Sequence, residues 1–157
     1  MKVNDETETD VVNLRRTIYL TIMSTLDFEE AGHKLMKIKL TPGQQEEKQI
    51  CIIIIECCIQ NKSYLPYYAL LAQRFCMINK IHRRNFEKCF VRHYSMVHRL
   101  ETNSLINSAR FFAHLIAFDA LTWRVLAYLR LNEEDTTSSS RIFIKCLFQD
   151  LCEHLGL

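Results

Sequence analysis

Apolar residues recur every three or four positions along almost the whole chain, which is the period of an amphipathic α-helix. One such stripe, in the first predicted helix, consists of Leu14, Ile18, Ile22 and Leu26. The chain has 157 residues but only three glycines and two prolines, so an all-β fold would lack its usual turn residues. We therefore expect an all-α domain with one hydrophobic core.

The pattern predicts about eight helices. We place them at residues 11–25, 27–39, 44–61, 65–79, 83–100, 104–119 and 122–129, with a last helix that one of Ser138 to Ser140 caps and that ends near His154. The expected N-caps are Asp10, Asp27 (with Glu30 in a capping box) and Thr122, and Gly156 follows the last helix.

Two segments need separate interpretation. Residues 1–10 are acidic and carry no large apolar cluster, so we expect a flexible lead-in, with a single domain over residues 11–157. The run from Ile50 to Ile55 has the β-propensity of a buried strand. The length of segment 44–61, which follows Thr41-Pro42-Gly43, favours a helix instead. This run is also too short to span a bilayer, so we expect no membrane contact.

The cysteines indicate a reducing compartment. There are seven, an odd number, and Cys57-Cys58 are adjacent, which does not suit a disulfide framework. Cys89 with His93, and Cys146 with Cys152 and His154, lack the spacing of strong zinc motifs, so we expect no metal. Gly-rich phosphate loops and nucleophile elbows are missing, and we expect neither a cofactor nor an enzymatic activity.

A basic stripe is the strongest charge pattern. Its members, spaced every four residues, are Lys80, Arg84, Lys88 and Arg92, with Arg83 and Arg99 nearby. Between positions 80 and 99 the only acid is Glu87, and the apolar Phe86 and Phe90 occupy the opposite side. An acidic protein surface or an RNA backbone would suit these cations, and a solvated helix face is equally consistent. The stripe lacks the aromatics of a base-stacking platform.

A second charged feature precedes the last helix. Glu133-Glu134-Asp135 leads into the hydroxyl-rich run Thr136 to Ser140. Such hydroxyls satisfy free amides at a helix start, and a phosphate there could switch an interface. Helix capping is the simpler interpretation.

Several segments resemble one known family. They are Leu26 to Ala31, Glu56 to Gln60, Leu71 to Cys76, Arg99 to Asn103, and the Thr-Ser run into Arg141-Ile142-Phe143. Together they resemble the MA-3 domain, a helical domain of translation initiation scaffolds. Within that family, the order and spacing are most similar to nucampholin-type pre-mRNA-splicing factors, over roughly residues 12–157. The related nucleolar ribosome-biogenesis scaffold is the nearest alternative.

The resemblance implies a HEAT-like stack of antiparallel helical hairpins that forms a fragment of a larger nuclear protein. It implies a monomeric scaffold domain that contacts spliceosomal core proteins and supports exon junction complex assembly. A separate domain of the full-length protein would bind the complex's DEAD-box helicase. The buried aromatics expected to hold the helices together are Phe28, Phe75, Phe90, Phe112 and Phe143.

One segment departs from the family pattern. Relatives that clamp a DEAD-box helicase with this domain carry two aspartates four residues apart, then a proline, after the fifth helix. Here the segment from Leu100 to Leu105 has one acid, Glu101, and no proline. We therefore expect this domain alone to bind such helicases weakly, and we regard Glu101 and the basic stripe with Arg99 as candidate partner-binding residues.

Overall fold

The computed structural model describes residues 2–38, 46–129 and 137–157, and within them the chain is helical with no β-strand. The α-helices are α1 (Lys2–Ser24), α2 (Phe28–Met36), α3 (Glu46–Gln60), α4 (Pro66–Ile78), α5 (Lys80–Ser95), α6 (Thr102–Ala117) and α7 (Ser138–Leu155). The described residues also form two 3-10 helices, the first at Val97–Arg99 and the second at Trp123–Tyr128. The predicted all-α fold is confirmed.

Helix α3 lies at the centre of the stack and contacts α1, α4, α5 and α6. The run that suited a strand by propensity is therefore a buried helical segment, in which Cys51 and Ile54 are completely inaccessible. Ile52 is the one residue of the run that is only half-buried. Burial on several sides explains why the run is apolar almost throughout instead of amphipathic.

Aromatic side chains join α5, α6 and α7. The ring of Phe90 packs edge-on against Phe112 at 5.1 Å between centroids, and Phe143 lies 6.2 Å from Phe90. These three rings are fully buried, as is Phe75, while Phe28 is half-buried. Truncating a buried Phe to Ala lowers the free energy of unfolding by about 3–5 kcal/mol. Burial of these rings therefore supports their expected role in holding the helices together.

Two polar side chains of α6 close the carboxyl end of α3. The amide nitrogen of Asn107 donates to the carbonyl oxygens of Cys58 (3.1 Å) and Asn61 (2.8 Å). The Ser104 hydroxyl donates to the Ile59 carbonyl at 2.9 Å. The last carbonyls of a helix lack intrahelical partners, so α6 supplies the donors that α3 itself cannot.

The start of α1 and the position of Leu26 correct the sequence interpretation. α1 begins at Lys2, so Asp10 lies inside the helix and is not its N-cap. No Gly or Pro interrupts residues 2–10, and an established helix propagates at little cost. The mobility of this segment stays a prediction. Leu14, Ile18 and Ile22 are buried, but Leu26 lies beyond the helix and is 99% exposed.

Three predicted caps differ in detail. Thr137, not a residue of the serine run, is the N-cap of α7, and it exchanges hydrogen bonds with Ser140 in a capping box. Asp27 caps α2 through the Glu29 amide, without the expected Glu30 bond. Thr122 occupies the N-cap position of the second 3-10 helix, but its side chain makes no capping hydrogen bond there. Its hydroxyl donates to the Glu87 carboxylate instead. Three features of the sequence interpretation lie outside the described residues, namely the Thr41-Pro42-Gly43 stop, the acidic run Glu133-Glu134-Asp135, and Thr136.

The fifth predicted helix is two elements. α5 ends at Ser95, and Met96 leads into the first 3-10 helix, whose i→i+3 hydrogen bonds tighten the chain where Val97 is buried.

Gly156 ends α7 in the left-handed conformation (φ 73°), as expected of a helix-terminating glycine. All seven cysteines are unpaired thiols. In the described part of the chain, no helix has the length and apolarity needed to cross a membrane.

Candidate functional site

A groove of about 850 Å³ lies between α1, α3, α5 and the first 3-10 helix. From α3 it is lined by Ile52, Ile55 and Ile59, whose spacing puts them on one helix face. Met96 and Leu100 close the end near the 3-10 helix. We call these five residues the floor, and they make the groove apolar at its base.

Cationic side chains surround this floor. They are Lys48 from α3, Lys88 and Arg92 from α5, and Arg99 from the 3-10 helix, and all four are exposed. We call them the rim. Among the described residues, no carboxylate lies within ion-pair distance of any rim side chain. The rim therefore presents uncompensated positive charge above an apolar base.

A fifth cation of the groove is neutralised internally. Arg15 of α1 contacts both carboxylate oxygens of Glu56 at 3.1 Å, and it donates to the Gln49 amide oxygen at 3.0 Å. Both contacts to Glu56 come from Nη2 of Arg15, while Nη1 donates to Gln49, so the guanidinium is bound to α3 through two of its nitrogens. Arg15 and Glu56 thus hold α1 against α3 and form one wall, and they add little net charge.

Two titratable side chains of α5 also line the groove. Burial raises the pKa of the Cys89 thiol to about 11, and the nearby charges of Arg92 and Lys48 oppose this shift. Burial lowers the pKa of His93 to about 4. The His93 ring packs against Phe112 and Phe143 at 5.7 and 5.9 Å. A neutral thiol and a neutral, ring-packed imidazole are structural groups in this setting.

The structure divides the predicted basic stripe. Lys88, Arg92 and Arg99 line the groove, whereas Lys80 and Arg84 are exposed on α5 outside it. Glu101 is exposed at the N-cap position of α6, makes no capping hydrogen bond and does not line the groove. The candidate residues therefore belong to at least two places on the surface.

Sequence reasoning missed Lys48 and the isoleucine floor. Lys48 is far from the stripe in the chain and joins it only because α3 packs against α5. A signal for the floor was present, since Ile52 and Ile59 share a face with Lys48 at helical spacing. The face is hard to recognise in the sequence, because the residues around Ile52 are apolar on every side of the helix.

The sequence offers two sets of cysteine and histidine residues as candidates for metal binding, one of two residues and one of three. In the described ranges, no group of three or more cysteine, histidine or acidic residues is placed to hold an ion. His154 contacts the Asp150 carboxylate at 3.3 Å, and Arg110 contacts the same carboxylate at 3.5 Å. These contacts join α6 to the end of α7.

Comparisons with known proteins point to one family. The model of the MA3 domain matches residues 14–122. The chain is 57% identical over 157 residues to "Pre-mRNA-splicing factor cwc22" of Emericella nidulans, covering 100% of this chain and 18% of that protein. The Drosophila melanogaster "Pre-mRNA-splicing factor CWC22 homolog" is 56% identical over 153 residues (98% of this chain, 11% of that protein).

The human protein of the same name is 50% identical over 155 residues, which is 99% of this chain and 17% of that protein. The chain thus spans less than a fifth of the length of these relatives. Both the expected helical fold and the expected similarity to pre-mRNA-splicing factors are confirmed. Because the family model covers most of the chain, the protein belongs to the MA3 domain family.

Proposed function

We propose that this chain is a protein-interaction domain of a pre-mRNA-splicing factor and acts in the nucleus as a non-catalytic scaffold of the spliceosome. The observation that carries the proposal is similarity over the whole chain to splicing factors of fungi, fly and human. The groove supports it, because an apolar floor with a charged rim is suited to binding.

The wider assembly is part of the same proposal. The domain contacts core proteins of the spliceosome and supports exon junction complex assembly, while a DEAD-box helicase is held by a separate domain of the full-length protein. Glu101 supports this division, because a single exposed carboxylate replaces the paired acids that the resemblance associates with helicase binding. The chain acts as a monomer within the assembly.

RNA binding is the second candidate function. The exposed cations Lys80, Arg84, Lys88 and Arg92 favour it, since phosphate contacts need only positive charge. Such binding would weaken steeply as salt is added, whereas a packed protein interface would change much less. Titrating affinity against salt separates the two functions.

The test of the proposed function is entry into splicing complexes. Tagged chain is added to a splicing extract, and its recovery with pre-mRNA complexes is measured. The triple variant R84E/K88E/R92E should fold normally, because all three side chains are exposed, and should be recovered severalfold less.

A matched control is R16E/K37E/R124E, which changes the net charge equally at exposed positions elsewhere. It should enter the complexes like the wild type. Equal recovery of the stripe variant and the wild type would mean that the stripe is a solvated surface.

A further inference from the structure

The groove combines two properties that a solvated surface does not need. Ile52 and Ile59 are only half-buried although they belong to the central helix, so their remaining exposed surface faces the groove. Leu100 is likewise half-buried at the far end. Covering aliphatic surface of this kind removes it from water, which favours binding. The floor is therefore available to an apolar partner surface.

The charge of the groove specifies the partner's sign. Five of the lining side chains are cationic and two are acidic, and the pair of Arg15 with Glu56 removes one of each. Four rim cations then face the single carboxylate of Glu47. Lys48 and Arg92 come from different helices, yet both line the groove, so both charges are presented to the same bound partner. An acidic partner complements this arrangement.

The dimensions of the groove fit a helix. The α3 residues that line it run from Glu47 to Ile59, which corresponds to roughly 18 Å, or about three turns, at 1.5 Å per residue. In the described part of the chain no strand offers an edge for β-augmentation. The available mode is an amphipathic helix whose apolar residues, spaced i, i+3 or i+4, and i+7, lie along the floor.

RNA is less suited to this groove. Single strands bind through aromatic side chains on which bases stack, and none of the side chains that line the groove has an aromatic ring apart from His93. The His93 ring is already packed against Phe112 and Phe143. Phosphates would meet the rim but leave the isoleucine floor uncovered.

We infer that the groove between α1, α3 and α5 binds an acidic amphipathic helix of a partner protein, with aliphatic residues on the floor and carboxylates against Lys48, Lys88, Arg92 and Arg99. The inference rests on the proposed interaction function and assigns it a place and a ligand class. Lys80 and Arg84 lie outside this contact, although they share α5 with two of the rim cations.

The experiment selects ligands for the intact 157-residue chain from a phage-displayed library of random 16-residue peptides. The expected sequences are rich in Asp and Glu and carry Leu, Ile or Met at helical spacing. Synthetic peptides from the selection are then titrated against the chain and its variants by fluorescence anisotropy. A 15-nucleotide oligouridine is titrated in parallel.

Two double variants provide the decisive comparison, because each reverses two exposed cations of α5. K88E/R92E alters the rim and should weaken binding of the selected peptide about tenfold or more, whereas K80E/R84E should weaken it less than about twofold. Ile52→Ala should also weaken binding, since it removes floor surface without changing charge. Circular dichroism checks that every variant is folded.

Selection of no peptide, or of neutral or basic peptides, would overturn the inference, as would tighter binding of oligouridine. Equal losses in the two double variants would assign binding to the whole α5 face and not to the groove. Each of these results leaves the proposed scaffold function standing if the domain still enters splicing complexes. Failure to enter those complexes, with acidic peptides still bound in the groove, would contradict the scaffold function alone.

Discussion

The Glu87 carboxylate accepts two hydrogen bonds from Thr122, one from its hydroxyl at 3.1 Å and one from its backbone amide at 3.4 Å. The single acidic residue of the α5 segment is thus directed at the loop after α6. Its neighbour Arg83 donates to the Asp119 carbonyl in the same loop at 3.2 Å, and Asp119 has a positive φ of 59°. Both side chains hold this turn, and in the part of the chain that the structure describes Glu87 makes no ion pair with the basic stripe.

Replacing Glu87 should therefore destabilise the fold. Glu87→Ala removes the one oxygen, Oε1, that accepts both hydrogen bonds at the start of the second 3-10 helix, and we expect the free energy of unfolding to fall by about 1–2 kcal/mol. Urea denaturation followed by circular dichroism measures the change. Glu153→Ala, an exposed acid in α7, should stay within about 0.5 kcal/mol. Equal effects of the two variants would mean that the Thr122 contacts contribute nothing specific.

The junction of α3 with α6 should be more sensitive. Asn107 is only 2% exposed, and Asn107→Ala leaves the carbonyls of Cys58 and Asn61 without their donor inside the protein. Losing buried partners and side-chain volume together should cost about 2–4 kcal/mol. Asn103→Ala on the exposed face of α6 is the control and should change stability little. A mild Asn107 variant would show that water replaces the amide.

Asn107 also illustrates the limit of sequence reasoning. Helical periodicity located the helices and most of the core, because burying an apolar stripe imposes a repeat that is visible in one sequence. It gave no indication that an amide of α6 would close the end of α3, since that contact depends on how two distant helices meet. The same holds for Lys48, which joins the rim only through packing. Thr137 and Ser138 show a local limit, because Ser and Thr both rank among the preferred N-caps and adjacent hydroxyl residues compete for the position.

Buried histidines should make stability depend on pH. Burial lowers the pKa of His93, and of His114, to about 4, below the usual value near 6.5. Between these values the unfolded chain takes up protons that the folded chain does not. The stabilisation is therefore complete above pH 6.5 and is lost as the pH falls towards 4.

His93→Leu isolates part of this effect, because leucine keeps the contact with Phe112 and Phe143 but does not titrate. The buried Nε2 of His93 has no hydrogen-bond partner among the described residues, so little is lost by removing it. The drop in unfolding free energy from pH 7.5 to 4.5 should be smaller in the variant by roughly 2 kcal/mol. Urea titrations at both pH values test this. An unchanged drop would mean that His93 is protonated in the folded protein.

Helicase binding tests the departure at Glu101. Because one exposed acid stands where two aspartates are expected, the isolated chain should bind a DEAD-box helicase weakly, with a dissociation constant above about 10 μM, or less than about 7 kcal/mol of binding free energy. Isothermal titration calorimetry with the exon junction complex helicase measures this. Tight binding abolished by Glu101→Ala would show that the single acid suffices. Tight binding that persists in Glu101→Ala would place the contact on another surface.

The stripe should carry a local cost to stability. Lys80, Arg84 and Lys88 stand four residues apart on exposed turns of α5, so each adjacent pair is repulsive. Arg84→Glu converts both pairs into attractive ones and should raise the free energy of unfolding by about 0.5–1 kcal/mol at low salt, with a smaller gain at 1 M salt.

The control is Arg124→Glu, an exposed cation outside the stripe, which should give no comparable gain. A stabilised Arg84→Glu variant that binds peptides normally would show that the repulsion within the stripe is independent of peptide binding at the groove rim. If Arg84→Glu instead destabilises the chain, the four cations cost nothing where they stand, and their spacing no longer argues for a partner.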